Sequence, residues 1–119
     1  MSKLPPKTIF ITGATSGFGE STAKIFNQNG WQTIVTGRRA DRLETLAKQL
    51  GKNCLPLSFD VGDRISVEKE IENIPPDFSN ITVLCNNAGL ALGLEQANNA
   101  NLDDWDEMVN TNIKGLIYC

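Results

Sequence analysis

Three glycines in the segment Thr12-Gly13-Ala14-Thr15-Ser16-Gly17-Phe18-Gly19 carry the spacing G-x-x-x-G-x-G. They follow the apolar run Thr8-Ile9-Phe10-Ile11 and precede a helix-like stretch. A strand that stops, reverses tightly and opens a helix points free backbone N–H groups and a positive dipole end at one place, and that place binds an anion. Glycine is needed where a side chain would block a pyrophosphate or keep helix from strand. The same spacing also occurs in ordinary glycine-rich turns, and the strand before it and helix after it favour the phosphate cradle.

Polar residues recur where later strands end. Gly37-Arg38-Arg39 follows the second predicted strand, 32–36, Asp60-Val61 follows the third, 54–59, and Asn86-Asn87-Ala88-Gly89 follows the fourth, 81–85. In an open α/β sheet a ligand lies at the carboxyl ends of the strands, so all four groups fall on one edge of such a sheet.

With T-G-x-x-x-G-x-G, D-V and N-N-A-G in that order, the chain resembles the short-chain dehydrogenase/reductase family over nearly all of its length. The stretch 86–115, with Gly89-Leu90-Ala91-Leu92-Gly93-Leu94-Glu95 and Asp104-Trp105, looks like the branch acting on 3-hydroxy acids and on serine or allo-threonine. The resemblance implies an α/β fold: a Rossmann-like, doubly wound parallel sheet in strand order 3-2-1-4, cut short after about four strands. Residues 1–119 are then one dinucleotide-binding domain, incomplete at its carboxyl end, where the chain stops inside a helical pattern.

The expected roles follow. Gly13, Gly17 and Gly19, with the backbone of Ala14, Thr15, Ser16 and Phe18, hold the pyrophosphate, and the Ser16 hydroxyl adds a phosphate or ribose contact. An acid at the end of strand two would accept hydrogen bonds from the adenosine ribose; Gly37 stands there instead, followed by Arg38 and Arg39, whose planar guanidinium groups pair with a 2′-phosphate. NADP is therefore the expected cofactor, with solvated surface arginines as the competing reading. By resemblance Asp60 contacts the adenine edge and Val61 lines its pocket, although an N-cap for the next helix explains Asp60 equally. In Asn86-Asn87-Ala88-Gly89 the asparagines satisfy backbone groups between strands and Gly89 admits the cofactor ribose closely, so a structural and a binding role coexist. Asn112, three residues before Gly115, matches the family's asparagine that helps hold a proton-relay water, or is a polar surface residue.

Hydride transfer also requires a proton donor. In the resembling family a serine and a Tyr-x-x-x-Lys pair supply it, the lysine charge lowering the tyrosine pKa. This sequence holds one tyrosine, Tyr118, with no lysine four residues on. The 119 residues alone are expected to be inactive. The reading is the cofactor-binding half of an NADP-dependent oxidoreductase acting on a small hydroxy or keto compound. A non-enzymatic dinucleotide-binding module remains the alternative. A P-loop hydrolase fits poorly, because Glu20-Ser21 follows Gly19 where Lys-Ser/Thr would be needed.

The elements that must position these residues read as βα units. Helices are expected over 18–29, closed by Gly30, over 41–50, closed by Gly51, over 63–74, stopped by Pro75-Pro76, and from Asn101 through Ile117. Leu43, Leu46, Ala47 and Leu50 share one helical face, as do Val67, Ile71 and Ile74. Pro56 assigns strand three to a sheet edge. The continuous apolar run 81–85 predicts a strand covered on both faces, with Cys85 a small buried hydrophobe.

Composition narrows the partners. Net charge is −3 and basic residues are scattered, so no stripe neutralises nucleic-acid phosphates. No apolar stretch is long enough to span a bilayer and residues 1–7 lack an apolar signal core, so a cytoplasmic protein is expected. Histidine is absent and Cys54, Cys85 and Cys119 are widely spaced, which disfavours a metal site. A small-molecule substrate is the expected partner, and the resemblance implies a homo-oligomer for a full-length member.

Overall fold

The computed structural model describes residues 6–15, 17–88 and 102–119. Its centre is a parallel sheet in the order β3-β2-β1-β4. β1 (Thr8–Ile11) lies between β2 (Gln32–Gly37) and β4 (Ile81–Cys85), and β3 (Cys54–Ser58) flanks β2. The pairing runs Ile9↔Thr33 and Ile11↔Val35 on one side of β1, and Ile9↔Val83 and Ile11↔Cys85 on the other. Pro56, which has no N–H to donate, sits on the edge strand opposite Val35, as expected.

Strand alternation divides the core. Ile9, Ile11 and Val35 point to one face, where they meet Ala23 of α1 (Gly17–Gln28) and Leu43 and Leu46 of α2 (Ala40–Leu50). Phe10 and Ile34 point to the other, against Phe59, Val61 and Val67 of α3 (Arg64–Glu72). Each wholly buried side chain of this size contributes about 1.5–3 kcal/mol of transfer free energy. Thr36, also wholly buried, donates its hydroxyl to Ile11 O at 3.2 Å and so costs little.

Helix ends set the strand entries. At the end of α1 the Trp31 N–H reaches back to Phe26 O (3.1 Å) and the Gly30 N–H to Asn27 O (3.2 Å), with Gly30 at φ +85°. This is a glycine-closed helix end. Its apolar partner contact is the edge-on pair Phe26–Trp31, with ring centroids 5.0 Å apart. β2 starts at the next residue. Gly51, at φ +82° and ψ −156°, closes α2 with its N–H donating to Ala47 O, a different glycine conformation from a left-handed helical one.

Four expectations are corrected. β4 is not covered on both faces: Ile81 and Leu84 are exposed and Cys85 is only half-buried. Among the described residues β4 pairs only with β1, and α3 leaves part of its face open. Ile71 is exposed for the same reason; with Phe10, Ile74, Ile81, Leu84 and Cys119 it borders an apolar groove of about 160 Å³. Asp60 does not cap α3. Asp63 does, accepting from Ile65 N at 3.2 Å and from the Ser66 hydroxyl at 2.8 Å. The helical run expected through Ile117 is broken: α4 (Leu102–Val109) passes into a π-helical turn, Asn110–Gly115, before the short α5 (Leu116–Tyr118). That turn lies hard against the loop after β3, since a Cβ on Gly115 would stand 2.7 Å from Val61 Cγ2 and one on Gly62 would stand 3.3 Å from Asn110 O.

Candidate cofactor site

The site begins with the interlocking of two loops at the carboxyl ends of β1 and β4. Gly13 has φ +63°, and a Cβ there would lie 2.8 Å from Ala88 Cα and 3.2 Å from Asn87 C. Both conditions require glycine. Thr12, wholly buried, accepts the backbone N–H groups of Asn87 and Ala88 on its hydroxyl oxygen, each at 2.9 Å. The Asn87 side-chain amide donates to Gly13 O at 3.0 Å. Gly19 completes the interlock: a Cβ there would run into Gly13 O and stand 2.7 Å from Asn87 Nδ2. The asparagine and two of the three glycines therefore bind the β1 loop, α1 and the segment after β4 into one unit, leaving α1 to open beside it at Gly17.

Beside this unit is a cleft of about 270 Å³. Gly13 and Thr15 form its floor on the β1 side, and Thr36 and Gly37 close the end of β2. Phe59, Asp60 and Val61 approach from β3, Ala88 from β4, and Thr111 from the π-helical turn. Three arginines, Arg38, Arg39 and Arg42, line it as well. Where a carboxylate would stand at the end of β2 there is only Gly37, and a Cβ on it would already be 3.1 Å from Thr15 Cγ2. Three guanidinium groups facing a cleft with no acid at the strand end suit an anionic group, and the glycine cradle beside them suits a pyrophosphate.

The structure brings together Gly13, Thr15, Arg38, Arg39, Asp60, Val61 and Ala88 around the cleft. The Asp60 carboxylate also accepts the Gly62 N–H at 2.8 Å, a local turn that holds Val61 toward the cleft. Ala14 is wholly buried beneath the loop, its N–H bonded to Thr36 O at 3.0 Å. Gly17 and Gly19 open α1, Phe18 projects into solvent, and Asn86 is exposed at the end of β4. Asn112 is exposed on the π-helical turn and does not line the cleft. Ser16, Gly89 and the stretch 90–101 lie outside the described residues. Tyr118 packs into the second core cluster, apart from the cleft.

Sequence reasoning missed Thr12, Thr36, Arg42, Phe59 and Thr111. Arg42 was within reach, because it follows Arg39 by three residues at the start of a helix and so shares its face. Thr12 stood in the sequence as the first residue of T-G-x-x-x-G-x-G, but nothing local showed that its hydroxyl would tie two loops together.

The family model described as short chain dehydrogenase matches residues 7–119. The chain belongs to the short-chain dehydrogenase family. It is 49% identical over 110 residues to the NADP-dependent 3-hydroxy acid dehydrogenase YdfG of Salmonella typhi, covering 92% of this chain and 44% of that protein. To the serine 3-dehydrogenase of Agrobacterium fabrum it is 52% identical over the same length and shares. Among solved structures, the closed form of a serine dehydrogenase complexed with NADP+ superimposes with a TM-score of 0.91 at 45% identity, over 93% of this chain and 45% of that one. This member of the short-chain dehydrogenase family thus spans less than half the length of the curated relatives it matches. Its strand order, β3-β2-β1-β4, fits the fold of these structural neighbours.

Proposed function

We propose that residues 1–119 form the NADP-binding part of a short-chain oxidoreductase that moves a hydride between nicotinamide and a small hydroxy or keto compound, with 3-hydroxy acids as the substrate class. The observation that carries this reading is the grouping of Arg38, Arg39 and Arg42 at a strand end that bears no carboxylate, next to the glycine cradle. The names of the relatives support both the cofactor and the substrate class.

In this reading the loop 12–19 and the N-terminus of α1 hold the pyrophosphate, and the arginines hold the 2′-phosphate. Asp60 and Val61 border the adenine, with Thr111 opposite. The bound cofactor would carry the hydride, donating it to a keto compound when reduced and accepting it from a hydroxy compound when oxidised. Asn112, one residue beyond Thr111, is the polar group assigned to the proton path, and the 119 residues contain no Tyr-x-x-x-Lys pair to serve as proton donor.

Fluorescence titration with NADPH and NADH tests the reading. NADPH is expected to bind more tightly, and Arg38→Ala to remove most of the difference, a loss of about 1.5–3 kcal/mol for a charge-assisted contact. Equal affinities in the parent chain would overturn the assignment. Turnover of 3-hydroxy acids by the 119-residue chain is expected to be undetectable, since general acid–base assistance is worth about 10²–10⁴-fold and its donor is missing.

A further inference from the structure

Arg38, which lines the cleft, pairs with Glu107, its Nη1 3.6 Å from Oε1 of the glutamate. They come from distant parts of the chain, one following β2 and the other carried on α4. Of the three arginines lining the cleft, Arg38 is the one in an ion pair among the described residues. A carboxylate and a phosphate monoester compete for the same guanidinium donors. We propose that Glu107 is a specificity-setting counter-ion of the cofactor site, holding Arg38 when no 2′-phosphate is bound and giving way to that phosphate when NADP enters. The inference rests on the cofactor reading above and extends it by making α4 part of cofactor choice.

Geometry and exposure give the direction. The two side chains are 49% and 50% exposed, and at 3.6 Å the contact is longer than a charge-assisted hydrogen bond. Such a pair is readily displaced. Glu107 opposes the 2′-phosphate in two ways, by engaging its arginine and by repelling its charge, and neither acts on NAD, which carries an uncharged hydroxyl at that position. Nearby acids do not share the role equally: the Asp60 carboxylate, which also faces the cleft, is engaged by the Gly62 N–H at 2.8 Å.

Calorimetric titration of the 119-residue chain with 2′,5′-ADP, NADP+ and NAD+ tests this, using the parent, Glu107→Gln, Arg38→Ala and the double variant. Glu107→Gln is expected to tighten 2′,5′-ADP and NADP+ about two- to fivefold and to leave NAD+ unchanged. The gain should disappear in the Arg38→Ala background and shrink at high salt. An equal gain for NAD+, a gain that survives loss of Arg38, or unchanged or weaker NADP+ binding would each overturn the counter-ion role while leaving the cofactor reading intact. A parent chain that binds neither 2′,5′-ADP nor NADP+ would overturn the cofactor reading and this inference together. Unaltered thermal unfolding of Glu107→Gln, expected for an exposed side chain, separates these outcomes from a folding defect.

Discussion

β1 and β4 lie side by side and carry similar apolar runs, Thr8-Ile9-Phe10-Ile11 and Ile81-Thr82-Val83-Leu84-Cys85, yet every residue of β1 is buried while Ile81, Thr82 and Leu84 are exposed. The difference lies in their surroundings. β1 has a strand on each side and core clusters on both faces, whereas β4 pairs with β1 alone among the described residues, with Val83 and Cys85 against the first cluster and Ile81 and Leu84 on the open groove. An apolar run states which surface is suited to burial, and neighbouring elements determine whether burial occurs. The carboxyl ends of the same two strands reverse the contrast: there the loops of β1 and β4 are locked together through Thr12, Gly13 and Asn87.

The lock is where the largest effect is expected. Gly13→Val places a β-branched side chain at φ +63° and within 2.8 Å of Ala88 Cα, so strain and overlap add to about 3 kcal/mol or more. Cofactor binding should be lost with the loop geometry. Gly17→Ala is the control, because Gly17 has φ +52° but no neighbour within 4 Å, and its cost should stay near 1–2 kcal/mol. Denaturant unfolding of the two variants checks the order. Equal losses would mean that the close approach to Ala88 is not what Gly13 serves.

Next in size is the contrast between the two strand faces. Ile34 is wholly buried, and Ile34→Ala should cost about 2–5 kcal/mol. Leu84 is 44% exposed, and Leu84→Ala should cost about 1 kcal/mol or less. The edge of β4 left unpaired among the described residues is expected to let chains associate, and Leu84→Lys should reduce that association, since charge on an open strand discourages edge-to-edge pairing. Sedimentation velocity reads that outcome. A large stability loss at Leu84 would mean that its face is covered in solution.

These contrasts mark what was legible. The strand order came with the family resemblance, whereas both glycine helix stops and the position of Pro56 follow from local chemistry that the sequence carries openly: positive-φ glycine and missing donor. The cradle was legible in its residue types but not in its reason. Gly13 and Gly19 were expected to clear space for a ligand, and they clear space first for Ala88 and Asn87, a contact between residues some seventy positions apart. No local pattern encodes that. Asp60 and Asp63 show the same limit at short range, for both acids precede α3 and only the turn geometry decides that Asp63 caps it. Arg42 reaches the cleft from the helix face three residues beyond Arg39, a position that the strand end alone does not indicate.

Asp63 supplies the smallest and most specific prediction. The Ser66 hydroxyl, then the Ser66 and Ile65 N–H groups, favour its ionised form and hold its pKa below the ordinary aspartate value. The unfolded chain lacks these bonds, so the carboxyl there takes up its proton at the usual pH, and protonation on lowering pH is easier unfolded than folded. The cap's contribution is therefore complete above the ordinary aspartate pKa of about 3.9 and is lost as pH falls through the lower folded value. Asp63→Asn keeps an acceptor for the helix N–H groups but cannot titrate. The parent should be slightly more stable than this variant near neutrality, by a small margin because the carboxylate is fully exposed, and the two thermal midpoints should converge below about pH 3. Midpoints that differed by the same amount at pH 2 and pH 6 would show that the cap acts through shape alone, without its charge.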